Sequence, residues 1–169
     1  MRNNVLWCIC ILLLIAATPL KSQKLAGNLD VTWLCTGILG AGAEMTVARS
    51  STVNLSVLTA KHPWVYHDLS GVLLQPEWRY YLSERPMFHH FVGIGGIIGT
   101  YETELETGKY VGSVVGIGVT FGYVLPLNKY LNLDLHSGLA LIHREDREHG
   151  IDNFTLPTKA GISLTYIFR

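Results

Sequence analysis

The chain predicts an all-β protein, an eight-stranded antiparallel up-and-down barrel of the transmembrane, outer-membrane type. Three observations carry that expectation. After the first 22 residues, period-two alternation of apolar and polar side chains outscores the 3.6-residue period nearly everywhere. The alternating segments run to roughly 9 to 16 residues, which suits a tilted membrane strand better than the 5 to 6 of a soluble sandwich. Short turns alternate with longer polar connections, as they do between the two ends of an outer-membrane barrel.

Residues 1–22, MRNNVLWCICILLLIAATPLKS, read as a signal peptide, with Arg2 at the positive start, an apolar run over 5–17 and a small residue, Ser22, at the cut site. The run is about 13 residues, short of the roughly 20 that a spanning helix needs. Export to the bacterial outer membrane is therefore expected, with residues 23–169 forming one barrel domain. The intact chain balances 13 basic against 13 acidic residues, and losing Arg2 and Lys21 takes the basic count from 13 to 11. No basic excess supports a nucleic-acid partner. Cys8 and Cys10 leave with the leader, so Cys35 alone can build no disulfide framework.

Eight segments carry the strand pattern. The first four are NLDVTWLCT (28–36), ILGAGAEMTV (38–47), TVNLSVLTA (52–60) and LSGVLLQPEWRYYL (69–82). The remaining four are FHHFVGIGGIIGTY (88–101), YVGSVVGIGVTFGYVL (110–125), YLNLDLHSGLALIH (130–143) and TLPTKAGISLTYIF (155–168). In the fourth, Gln75, Glu77 and Arg79 share one face while Leu74, Trp78, Tyr80 and Leu82 share the other. The same sorting places Leu29, Val31, Trp33, Leu55 and Leu164 on the apolar side and Asp30, Thr32, Glu44, Asp134, His136 and Lys159 on the polar side. Gly112, Gly116, Gly118 and Gly122 in the sixth segment would also suit a small-residue helix face, but the valines and aromatics between them favour a strand whose glycines thin the interior. Pro76 and Pro157 fall inside the pattern, where a missing N–H costs a ladder bond, so each marks a bulge or a local break in pairing.

The connections RSS, SERPM and PLNK are short, whereas KHPWVYHD, ETELETGK and REDREHGIDN are the longer loops assigned to the outer face. Aromatics are expected to collect at the two membrane interfaces. Tyr80, Tyr81, Phe88, Phe121, Tyr123, Tyr130, Tyr166 and Phe168 fall near the short-turn ends; Trp33, Trp64, Tyr66, Tyr101 and Tyr110 fall near the long-loop ends.

QPEWRYYL after a Trp- and His-bearing loop, the Gly-rich FVGIGGIIGTY and the closing LPTKAGISLTYIF resemble a family of small Bacteroidetes outer-membrane proteins classed as a domain of unknown function. The resemblance spans almost all of the mature chain. It implies an eight-stranded barrel, often encoded near fimbrial assembly genes, with fimbrial components as partners and no established activity. The chain departs from the pattern in its short first outer loop, around Thr36 and Gly37, and in carrying Arg169 after Phe168, the terminal aromatic that barrel-insertion machinery reads.

An eight-stranded interior is just wide enough to be filled by side chains, so inward charges have to pair with one another. The candidate interior network is Asp30, Glu44, Gln75, Glu77, Arg79, Asp134, His136 and Lys159. Arg79 and Lys159 are the natural partners of the four acids, and the remaining deficit falls to water, His136 or protonated carboxyls. A structural polar plug is expected, with a narrow gated pore or small-ligand channel and a lipid-modifying barrel enzyme as alternatives.

No catalytic, cofactor or metal site is expected. The adjacent pair His136 and Ser137 points to opposite faces of its strand, which suits neither a nucleophile nor its base. His89 and His90 should likewise diverge, and His62 and His67 belong to a loop. Glu102, Glu104 and Glu106, with Glu145, Asp146, Glu148 and Asp152, read as solvated acidic loops, with cation or lipopolysaccharide bridging as the lesser reading. GIGGIIG (93–99) lacks the G-x-G-x-x-G order of a nucleotide loop. Trp64 and Tyr66 are the loop contact candidates. The expectation is a non-enzymatic integral barrel of structural or interaction role. Its partners would be outer-membrane lipid, lipopolysaccharide and the barrel-insertion machinery, with a link to surface-fimbria assembly implied by the resemblance.

Overall fold

Alternation along each strand becomes an inside and an outside only when the sheet closes. In the computed structural model, which describes residues 24–65, 69–105, 108–146 and 150–168, eight antiparallel strands pair in chain order and the first pairs with the last. They are β1 (Leu25–Asp30), β2 (Ile38–Ala48), β3 (Ser51–Lys61), β4 (Leu69–Tyr81), β5 (His89–Leu105), β6 (Gly108–Pro126), β7 (Leu131–Asp146) and β8 (Gly150–Phe168). The predicted leader, 1–22, lies outside the described residues.

The wall is apolar outside and polar inside. Leu39, Leu55, Ile94, Ile117 and Leu141 all point outward with roughly half or more of their surface open, Leu141 at 64%. Glu44, Asn54, Glu77, Arg79 and Asp134, on the opposite rows of their strands, are each exposed by 3% or less. Glycines on β6 make room for this filling. The Phe91 ring lies where a side chain on Gly122 would stand, so the strand can pass the ring only without a Cβ.

The first predicted strand is corrected. The chain leaves the sheet at Asp30 and forms a short helix, α1 (Val31–Cys35), in which Asp30 is the N-cap and its Oδ1 accepts the Trp33 N–H at 3.1 Å. That bond satisfies a donor the helix start would leave open. Val31, Thr32 and Trp33 therefore do not occupy strand faces. Where β1 has stopped, Thr32 Oγ1 accepts the Ile162 N–H of β8 at 2.8 Å.

Two of the three predicted long loops are also corrected. β5 and β6 stay paired out to Leu105 and Gly108, and β7 and β8 out to Asp146 and Gly150. Glu102, Glu104, Glu145, Asp146 and Asp152 thus sit on strands, because polarity marks the end of the apolar band and not the end of the hydrogen-bond ladder. Glu106 and Glu148 lie outside the described residues. The short connections 49–50, 82–88 and 127–130 fall where expected.

The two prolines divide the two expected outcomes between them. At Pro76 the ladder from β4 to β5 lapses between Leu74↔Ile98 and Glu77↔Gly95 with the register unchanged, while Pro76 still pairs with Leu55 of β3. At Pro157 the register slips, since Gly138 pairs with Lys159 but Leu139 with Pro157, leaving Thr158 as the extra residue of a bulge.

At the short-turn end an outer aromatic band forms, with Tyr166 against Tyr130 and Phe168 at centroid distances of 6.3 and 5.3 Å. Trp78 and Tyr80 continue it. Tyr81 is not part of this band; it is fully buried in the lumen, on the same row as Arg79. Of the band predicted at the other end, Trp64 is the one described aromatic that stands exposed. Trp33 lines an interior cavity, the Tyr101 hydroxyl is buried beside Gly112, and Tyr66 and the Tyr110 side chain lie outside the described residues. His89 and His90 are corrected too. Both rings pack on Tyr123, at 5.6 and 4.7 Å, because His89 adopts a φ of 58° that breaks the alternation.

Candidate functional site

Arg79 projects from β4 into the lumen and reaches strands that are not its neighbours. Its Nη1 lies 3.1 Å from Glu44 Oε2 on β2 and 2.8 Å from Asp134 Oδ2 on β7, and its Nε donates to Glu77 Oε2 at 2.8 Å. One guanidinium therefore ties opposite walls together. Its planar fork can serve several carboxylates at once, as a lysine point charge cannot. The Phe91 ring lies 4.5 Å from Arg79 Cζ and supports the cation on its face.

Glu44 takes three hydrogen bonds. Its Oε1 accepts from the Thr52 hydroxyl at 2.6 Å and from the Tyr81 hydroxyl at 2.7 Å, while Arg79 holds Oε2. Charge-assisted bonds of this kind are the strong ones, and they offset the cost of taking the carboxylate out of water. Thr52, Tyr81 and Phe91 were not among the residues expected in the network. Period two alone could have found Tyr81, because it stands two places after Arg79.

Above this cluster, toward α1, His136 stands between two acids. Its Nε2 is 3.6 Å from Asp30 Oδ2, and its Nδ1 faces Asp134 Oδ1 at 3.4 Å without the geometry of a hydrogen bond. A cavity of about 30 Å³ adjoins Asp30, Gln75, Asp134 and His136, enough for one or two waters. A separate polar line runs from Asn28 Nδ2 to Asn54 Oδ1 at 3.0 Å and from Asn54 Nδ2 to Ser56 Oγ at 3.1 Å.

Of the eight predicted network residues, Glu44, Glu77, Arg79, Asp134, His136 and Asp30 meet through these contacts, and Gln75 lines the same cavity. The Lys159 backbone pairs with Gly138, but its side chain lies outside the described residues. Asp30 has the additional duty of capping α1. Trp64 is 61% exposed, and its Nε1 donates to the Cys35 carbonyl at 2.9 Å, fastening the loop after β3 to α1. Its predicted partner Tyr66 lies outside the described residues. Among the described residues no group of three or more His, Cys, Asp or Glu is placed to hold a metal ion.

A family model described as protein of unknown function (DUF3575) matches residues 8–168. The chain belongs to that family. No curated protein and no solved structure shows a match. In this family member the lumen is crossed by a set of fixed hydrogen bonds, an arrangement suited to bracing a wall. His136 faces inward while Ser137 is exposed on the outer surface, so the two share no reaction site.

Proposed function

We propose that this member of the family is an integral outer-membrane barrel with a structural or interaction role, exported by residues 1–22 and not an enzyme. The observation that carries the reading is the inversion of polarity, with an ion cluster in the lumen and half-exposed Leu, Ile and Val around the outside. In water so continuous an apolar wall would drive association. In a bilayer it is the surface that meets lipid.

The short turns would face the periplasm and the longer hairpins the exterior. Outer-membrane lipid and lipopolysaccharide would surround the wall, and the barrel-insertion machinery would read the strand ending at Phe168. A link to fimbrial components, and a Bacteroidetes source, rest on sequence resemblance alone. Contact with a partner falls to the outer hairpins and to the α1 region with Trp64, since the wall itself is committed to packing.

Membrane fractionation followed by gel electrophoresis with and without boiling tests the reading. An outer-membrane fraction with a boiling-dependent mobility shift is expected. A protein recovered soluble from the periplasm with no shift would overturn it.

A further inference from the structure

At the short-turn end the lumen opens into a cavity of about 160 Å³, roughly the size that admits a benzene-sized ligand. Three separate parts of the chain meet there, the start of β1, the β4–β5 turn and the β6–β7 turn. Each brings one cation, Lys24, Arg85 and Lys129 in that order, and none of the described lining residues is acidic. Lys24 is half-buried, Arg85 and Lys129 are exposed on their turns, and all three border the same concavity. Gathered in one concavity they repel one another, and a bound anion relieves that repulsion.

The cavity walls are held in place. The β4–β5 turn takes left-handed φ values of 54° at Glu84 and 58° at Met87, and Ser83 Oγ donates to the Phe88 carbonyl at 2.7 Å. The Arg85 guanidinium lies 5.0 Å from the centroid of the Phe88 ring, so its fork is already partly oriented. The Met87 carbonyl accepts from Asn132 Nδ2 at 2.9 Å. Asn128 Oδ1 accepts the N–H groups of Tyr130 and Leu131 at 2.8 and 2.9 Å, which leaves the amide nitrogen as the end of that side chain suited to a ligand oxygen.

We propose that this cavity binds a phosphate group, carried by a phospholipid headgroup or by a free phosphorylated molecule. A phosphomonoester bears nearly two negative charges and three strong acceptor oxygens, which matches three converging cations better than a single carboxylate would. Arg85 supplies the fork and the two lysines supply point charges. The inference does not depend on the membrane reading, because it rests on the mouth of the lumen and not on the outer wall.

The test uses the full chain folded in a non-ionic detergent, with inorganic phosphate as the first probe and chloride holding the ionic strength constant. A second arm places the protein in phosphatidylcholine nanodiscs with or without phosphatidic acid, whose headgroup is a phosphomonoester. Phosphorus NMR reads binding, and the boiling-dependent mobility shift confirms that each variant is folded. Saturable binding is expected in at least one arm, weakened about tenfold in Arg85→Gln and Lys129→Gln and retained in Lys129→Arg. Glu84→Gln, on the same turn but outside the lining, should bind as the parent does. Binding of inorganic phosphate assigns a free phosphate ligand, and binding confined to discs that hold phosphatidic acid assigns a headgroup. No saturable binding in either arm, or equal binding by the parent and the two Gln variants, would overturn the proposal.

Discussion

Arg79→Ala would strand Glu44, Glu77 and Asp134 in the lumen without their shared counter-charge. Removing one partner of a buried ion cluster costs roughly 3–5 kcal/mol, and a fall of that size in the urea unfolding free energy of the refolded barrel is the expected result. Arg79→Lys should recover only part of the loss, because an ammonium cannot hold carboxylates on β2, β4 and β7 in the fork geometry that the guanidinium provides. Gly122→Ala tests the packing in the same layer. The Phe91 ring that would have to yield is itself pinned between Tyr81, at 5.5 Å, and Arg79. Overpacking of this kind costs roughly 1–3 kcal/mol, read as a lowered urea midpoint.

At the scale of elements, α1 separates two duties of Asp30. Asp30→Ala removes the cap and should cost about 1 kcal/mol, whereas Asp30→Asn keeps the capping oxygen and should cost little of that; paired urea titrations read the difference. Seven of the eight strands were legible within a few residues because each is long enough for period two to repeat several times. α1 was not legible, since five residues cannot display a 3.6-residue period and NLDVTWLCT happens to alternate. The one local signal was Asp30 itself, an N-cap residue three places before Trp33. The acidic hairpins were missed for the opposite reason, as hydropathy reports the band a strand crosses and is silent on backbone pairing beyond it. Alternation also named the inward row, including Glu44, Glu77, Arg79 and Asp134. It could not say that one arginine spans from β2 to β7, because which rows meet across a lumen depends on closure and shear.

For the whole molecule, the outer wall separates a membrane protein from a soluble barrel by substitution alone. Ile117 and Leu141 are paired neighbours on β6 and β7 that point outward at 60% and 64% exposure. Ile117→Arg should cost about 2–4 kcal/mol in a bilayer if this position lies near the midplane band, and close to nothing for a wall that meets water. Folding titrations in lipid vesicles measure it. The same view of the molecule bears on conduction. With Arg79 bonded across the lumen, planar-bilayer recordings should show no unitary current in the parent, and the appearance of current in Arg79→Ala would identify the cluster as the barrier.

β1 has six residues, whereas β2 and β3 have eleven each and the later strands more. Leu25 pairs with Phe168, so closure joins the first strand to the last through six paired positions. All other neighbouring strands are consecutive in the chain and can pair as soon as both are made. Contacts between distant parts of a chain form slowly, because the entropy of the intervening loop must be lost first. Ring closure is therefore the pairing with the longest intervening chain to order, and β1, held through five positions to β2 and six to β8, is the narrowest stave of the barrel.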